Sequence, residues 1–265
     1  MKIVVCVKQV PEVTEVKVNP ETGTLMREGV AAILNPFCEY ALDHAVRLKK
    51  LRDDVEIIAL TMGPSQAASA LRRCLELGAD RAALVSDRLL AGADTWATAL
   101  TLAEAIKAAT PDFDLILVGK QAIDGDTAQV GPELAEILGL PQIIYGVEMT
   151  FSPGGRRLRV KREVETGYEV LEARLPALVS ASKGDLVRRL PSFQDVLTAR
   201  ARELKVLKAA DLGLSEEQTG LKGSFTQVIK IFPPAARQAG RRLENLDPAD
   251  AAREIAAFLR EKKFA

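Results

Sequence analysis

Between Lys2 and Leu138 the chain alternates short β-branched apolar runs with longer stretches whose apolar residues recur at helical spacing, and this alternation constrains the fold most. Lys2–Lys8 reads as a buried parallel strand, and Val55–Thr61, Arg81–Ser86 and Phe113–Val118 read likewise. Helices are predicted over residues 39–50, 65–78, 95–109 and 129–138. Pro36 suits a first helical turn and keeps Asn35 extended. Gly78 ends the second helix, and Asp94 or Thr95 caps the third. Strands and helices in this rhythm predict an α/β, doubly wound, mainly parallel sheet with right-handed crossovers.

The pattern changes after Pro141. Runs at 142–151 and 157–165 flank Ser152-Pro153-Gly154-Gly155, a hairpin signal, and Gly167–Leu175 and Ala177–Ala181 read as further strands. Together they are expected to form an antiparallel extension. Residues 11–35 read as a loop or hairpin excursion. Residues 183–247 show little regular pattern, yet Leu190, Phe193, Val196, Leu197, Phe225, Val228, Ile229, Ile231 and Phe232 are too apolar for disorder. They predict an extended arm, buried against another protein or packed irregularly on its own domain. An amphipathic helix over 248–263 follows. The expected organisation is an α/β domain over 1–182 and an arm with its helix over 183–265.

Composition narrows the function. No apolar run in the 265 residues is long enough to span a membrane. Met1-Lys2 leads straight into a strand pattern, which predicts no signal peptide. Lys+Arg and Asp+Glu both number 36, a balance that argues against nucleic acid or an anionic membrane as partner. Cys6, Cys38 and Cys74 are odd in number and widely spaced, so neither a disulfide framework nor a cysteine metal site is expected, and a reducing cytoplasm is the natural setting. His44 is the single histidine, expected to be structural or solvated; a histidine-rich zinc site is excluded by count. No acid, base or nucleophile constellation stands out, so no catalytic and no metal residues are expected.

The segment Asp114–Gly139 carries the chemistry: an apolar run ending at Gly119, a small-residue loop, then a helix start. Ligands of open α/β sheets sit beyond the carboxyl ends of the strands, and helix N-termini bind phosphate. Gly125, Thr127, Ala128 and Gly131 allow close backbone approach to a nucleotide-sized ligand. An ordinary βα connection is the plainer alternative.

VVCVKQVPE at 4–12, NPFCEYAL at 35–42, TMGP at 61–64, LGADRA at 77–82 and GKQAIDGDTAQVGPE at 119–133 resemble, in order, the small (beta) subunit of electron-transfer flavoproteins. So do Arg162, Glu165, Gly167, Glu169 and Leu171, the PALVS run at 176–180 and the stretch 188–204; Thr166 departs mildly from the pattern. The resemblance covers nearly the whole chain. It implies a flavodoxin-like α/β domain in an obligate heterodimer with a larger, FAD-carrying alpha subunit, with the arm wrapped on that partner. One branch of the family holds AMP in the small subunit. The other holds a second FAD there and, in better-known cases, bifurcates electrons from NADH.

Carried over by position, the nucleotide site would use Cys6, Asn35, Pro36, Phe37, Cys38, Met62, Gly119, Lys120, Gln121, Ala122, Ile123, Asp124, Gly125, Asp126, Thr127, Ala128, Gln129 and Val130. Asp94 and Thr95, in a loop similar to the bifurcating branch, would serve the flavin half. Met62 and Ile123 offer apolar surface to adenine, Asn35 a carboxamide that donates and accepts, Thr127 and Gln129 groups at a helix start. Asp124 and Asp126 suit ribose hydroxyls or helix capping better than phosphate. Gly125 and Ala128 are smaller than the residues of AMP-binding members, which favours FAD; the AMP-holding, structural version that docks acyl-CoA-type dehydrogenases is the alternative. A nitrogen-fixation-type homologue delivering electrons to a quinone or ferredoxin system shares the fold and the bifurcating chemistry; ferredoxin or flavodoxin is the acceptor the resemblance implies. A nucleotide hydrolase or ligase would need a Ser-Gly-Gly loop where Lys8-Gln9-Val10-Pro11 stands. Phe193, with Arg188 and Arg189, is expected to meet partner proteins, or to tuck into the arm's own contacts. Arg72 and Arg73 read as solvated.

Overall fold

The N-terminal apolar run forms β1 (Lys2–Cys6), the strand around which the fold is organised. The computed structural model describes residues 1–12, 31–185, 189–229, 240, 242 and 244–264. After β1 come β2 (Gln9–Pro11) and β3 (Ala32–Leu34), paired antiparallel as a small two-stranded ribbon. Most of the predicted excursion between them lies outside the described residues. Helix α1 (Pro36–Lys50) starts at Pro36, three residues earlier than the apolar spacing suggested, because proline is at home in the first turn. Next come β4 (Glu56–Met62), α2 (Ala68–Leu77) and β5 (Arg81–Val85). Gly78 ends α2 in a left-handed conformation (φ 118°), as a C-cap glycine does. Helix α3 (Thr95–Ala109) is capped by the Asp94 carboxylate, which accepts from Ala97 N at 3.0 Å. β6 (Leu115–Gly119) and α4 (Val130–Ile137) complete the alternating half.

β7 (Gln142–Phe151), β8 (Arg157–Val164), β9 (Gly167–Arg174) and β10 (Ala177–Ala181) follow. β8 pairs antiparallel with both of its neighbours, β7 and β9. β10 lies parallel between β6 and β7, so two of the four strands expected as an antiparallel extension belong to the parallel sheet. The β8–β9 hairpin takes the place of a helix between β7 and β10 and returns the chain in its original direction. The nine-stranded order is β11-β5-β4-β1-β6-β10-β7-β8-β9, with β11 (Lys205–Leu207) parallel to β5 at the far edge.

Alternation along the strands sends Ile3, Val5, Leu115 and Leu117 to one face, under Leu42, Leu48 and Leu71 of α1 and α2. Val4, Ile116 and Val118 go to the other, under Leu102, Ile106 and Leu134 of α3 and α4. Fully burying each such side chain contributes about 1.5–3 kcal/mol. The flavodoxin-like, doubly wound expectation holds, with helices on both faces of a mostly parallel sheet.

The stretch from 183 is more regular than its sequence suggested. Helix α5 (Phe193–Ala201) opens on a capping box, Ser192 Oγ accepting from Asp195 N and Asp195 accepting from Ser192 N. Arg72 is not a solvated side chain: from α2 it donates to Ala199 O at 2.7 Å and also to Arg202 O. The described chain divides into two compact units, 1–230 and 231–265. In the second, α6 (Pro248–Glu261) leaves Ile255, Phe258 and Leu259 exposed. Among the described residues no helix is long and apolar enough to cross a membrane.

Candidate functional site

The order of strands reverses beside β1: the chain runs outward through β4 and β5, then returns to β6 on the opposite side. That reversal is where open α/β sheets bind ligands. Cys6 ends β1, Met62 ends β4 and Gly119 ends β6, so these three residues meet at one sheet edge. Asn35, Pro36, Phe37 and Cys38 form the start of α1 above it.

The close approach there depends on Gly119. A Cβ on it would stand 2.7 Å from the Phe37 carbonyl carbon and 2.9 Å from Cys38 N. Asn35 is 1% exposed and its carboxamide holds the loop itself. Nδ2 donates to Gln121 O at 2.8 Å and to Cys38 Sγ at 3.2 Å, while Oδ1 accepts from Ile123 N at 3.3 Å. Its backbone N–H donates to Lys8 O at 2.9 Å. Burial pushes the Cys6 thiol up to about 12 and raises Cys38 despite the hydrogen bond from Asn35, so neither is a nucleophile at neutral pH.

Lys120, Gln121, Ala122 and Ile123 are half-buried, while Asp124, Gly125, Asp126, Thr127 and Gln129 are exposed. Asp126 and Ala128 both sit at φ 56°, in the left-handed region that side chains usually avoid. Neither loop acid caps the helix. Lys8 Nζ lies 2.7 and 2.9 Å from the two oxygens of Asp124, and Gln121 Nε2 donates to Asp126. Sequence reasoning missed the Lys8–Asp124 pair, because the partners are 116 residues apart. Gln129 stands at the N-cap of α4 without a side-chain cap bond; Pro132 has no N–H and Glu133 N already donates to Gln129 O at 3.0 Å, which leaves Val130 and Gly131 as the N–H groups of that first turn. A Cβ on Gly125 would meet nothing within 4 Å.

Asp94 and Thr95 begin α3, at the same sheet edge as the start of α4. Thr95 Oγ1 donates to Glu133 Oε1 of α4 at 3.0 Å. Beside Phe37 and Lys120 lies a concavity of about 350 Å³, lined also by Lys161, Tyr168, Lys183 and Asp185, which the sequence did not single out. Lys161 sits over the Tyr168 ring and Lys120 over Tyr145, each ammonium 4.7 Å from the centroid. Among the described residues no group of three or more His, Cys, Asp or Glu could hold a metal.

Phe193, the first residue of α5, is 78% exposed beside exposed Leu190 and Leu197. Arg189 is drawn inward, donating to Leu77 O at 3.0 Å and pairing with Asp195 at 3.3 Å. Arg188 lies outside the described residues.

Residues 22–212 match the family model described as the electron transfer flavoprotein domain. The chain is 43% identical over 262 residues to the caffeyl-CoA reductase–Etf complex subunit CarD of Acetobacterium woodii, covering 99% of both. It is 48% identical over 245 residues to the electron transfer flavoprotein beta subunit of Megasphaera elsdenii, covering 91% of this chain and 90% of the other. It is 42% identical over 255 residues to the protein FixA of Azotobacter vinelandii, covering 94% and 89%.

Proposed function

The chain belongs to the electron transfer flavoprotein beta-subunit family, and from that premise we propose that it pairs with an alpha subunit and holds a second FAD at the 119–130 loop. In this reading the heterodimer passes electrons between NADH or dehydrogenases and acceptor proteins, such as ferredoxin or flavodoxin, by bifurcation. The likeness over nearly full length to a subunit of a caffeyl-CoA reductase–Etf complex favours this branch.

The observation that carries the flavin reading is the open space at Gly125. The residues around it fit a dinucleotide. The uncapped start of α4 offers the Val130 and Gly131 amides and a positive helix end to a pyrophosphate. The Asp124 carboxylate, which would repel phosphate, is neutralised by Lys8. Met62 and Ile123 supply half-buried apolar surface for a ring. Bound there, FAD supplies the redox chemistry; the chain supplies position and environment. The reading in which AMP fills the same loop as a structural ligand is the alternative.

Co-expression with the alpha subunit, denaturation and chromatography of the released nucleotide tests this. Two FAD per heterodimer supports the proposal; one FAD and one AMP overturns it. Gly125→Asp sharpens the test, since the new side chain has room to fold but brings a like charge toward the pyrophosphate. A loss of about tenfold in affinity for the second FAD is expected, the scale of a like-charge contact of about 1–4 kcal/mol near a surface. Unchanged flavin content in this variant would sink the argument from Gly125.

We further propose that Phe193 docks electron-exchange partners. Arg72, Arg189 and Arg202 fasten α5 to α2 and the turn after it, so the exposed ring is presented on a fixed support. Phe193→Ala is expected to weaken partner binding about 30-fold, as loss of an aromatic hot spot of about 2 kcal/mol does. Flavin content and the heterodimer should persist. Dissociation of the heterodimer would instead assign Phe193 to the subunit interface.

A further inference from the structure

Residues 219–226 lie against the loop before α3 at several independent points. Leu221 N donates to Ala91 O at 3.1 Å, and Asp94 N donates to Ser224 Oγ at 2.8 Å. Asp94 Oδ2 accepts from Thr226 N at 2.9 Å and from Thr226 Oγ1 at 3.1 Å, while its Oδ1 caps α3. The Trp96 and Phe225 rings stand 5.5 Å apart. Backbones touch as well: a Cβ on Gly220 would stand 2.1 Å from Leu89 O. Burial would raise the Asp94 carboxyl, but the hydrogen bonds from Ala97, Thr226 and Phe225 outweigh it and keep the group ionised at neutral pH.

The next residue faces the other way. Thr95 donates to Glu133 on the first turn of α4, and the other Glu133 oxygen is buried without a partner among the described residues. Loop 119–129 runs directly into that turn. Backbone and hydrogen bonds together therefore link the nucleotide loop, through α4 and the start of α3, to the segment from which the arm departs.

We propose that Asp94 and Thr95 are positioning residues that couple nucleotide occupancy at the 119–130 loop to fixation of residues 219–229, the root of the arm. The inference rests on the nucleotide-binding reading above. Ligand that steadies the start of α4 steadies Thr95 and Asp94, and Asp94 then holds Ser224 and Thr226. Linkage makes the effect reciprocal: a fastened arm root slows nucleotide release. The shared element is the α3 start, which both sites touch.

The test uses the co-expressed heterodimer, loaded with FAD or AMP as purified and then stripped of the nucleotide bound by this chain. Amide hydrogen exchange is followed in the peptide covering 219–229. Loaded wild type is expected to exchange about five- to tenfold more slowly there than stripped wild type, within the usual range of coupling between sites. In Ser224→Ala/Thr226→Val, which leaves the Asp94 cap on Ala97 in place, that difference is expected to vanish and nucleotide to leave several-fold faster. Thr226→Ser should restore protection. Equal exchange in loaded and stripped wild type overturns the coupling while leaving the nucleotide site intact. Wild type that releases no nucleotide from this chain overturns the functional reading itself.

Discussion

Gly119→Ala is expected to unfold at a temperature lower by about 2–12 °C and to lose its nucleotide, whereas Gly125→Ala behaves as wild type. Both glycines lie in one loop region, and composition alone does not separate them. At Gly119 the added methyl would stand 2.7, 2.9 and 3.0 Å from Phe37 C, Cys38 N and Phe37 Cβ. The first two are backbone atoms, so no rotamer change relieves the contact. The start of α1 cannot yield cheaply, because Cys38, Ala41 and Leu42 pack it into the core and Asn35 binds it to loop 121–123. Overpacking of this kind costs about 1–3 kcal/mol, and each kcal/mol lowers the melting temperature of a chain this size by about 2–4 °C. The displacement also falls on residues of the proposed site. Thermal unfolding of both variants, with nucleotide content measured on the same samples, checks the contrast. Equal melting temperatures would mean that α1 shifts freely over β6.

The same distinction between local and distant chemistry separates what could be read in the sequence from what could not. β10 spans Ala177–Ala181 and α3 spans 95–109, as their periodicities predict, since an apolar run between breakers is a local signal. Asp94 is the cap, as a short side chain before an apolar helix suggests. The direction of β7 and β10 was misread because strand direction is decided by pairing: β10 takes β6 and β7 as neighbours, and no local pattern records that choice. α5 had a legible start in Ser192 and Asp195, a capping box passed over amid the weak periodicity around it. β11 had none, for its three residues are a strand only because β5 lies beside them. In the candidate site, the loop and its small residues were legible. The roles of Asn35, Lys8 and Arg72 were not, since each binds a group more than 80 residues away.

His44 makes a pH dependence that the same local reading left open. It is buried on α1, and its Nε2 has no hydrogen-bond partner among the described residues. Burial chiefly, with the nearby Arg47 charge, lowers its pKa from 6.5 to about 4, against a smaller opposing pull from Glu148. The imidazole is therefore neutral in the folded chain at neutral pH. As pH falls below 6.5 the unfolded chain takes up a proton that the folded chain refuses. The resulting loss of stability starts near pH 6.5 and levels off below about pH 4. At pH 4.5 it amounts to about 2.5 kcal/mol. Other groups act in the same range or below it. Asp94 and Asp54, held below their usual values, cost stability only at lower pH, while Glu133, raised by burial, gains some as it protonates. Comparison with His44→Leu isolates the histidine. The variant should lie within about 1.5 kcal/mol of wild type at pH 7.5, as a swap of similar volume does. Between pH 7.5 and 4.5 it should lose about 2.5 kcal/mol less than wild type in denaturant unfolding. Parallel losses in the two proteins would mean that the imidazole is solvated and protonated in the folded state, and that α1 does not seal it.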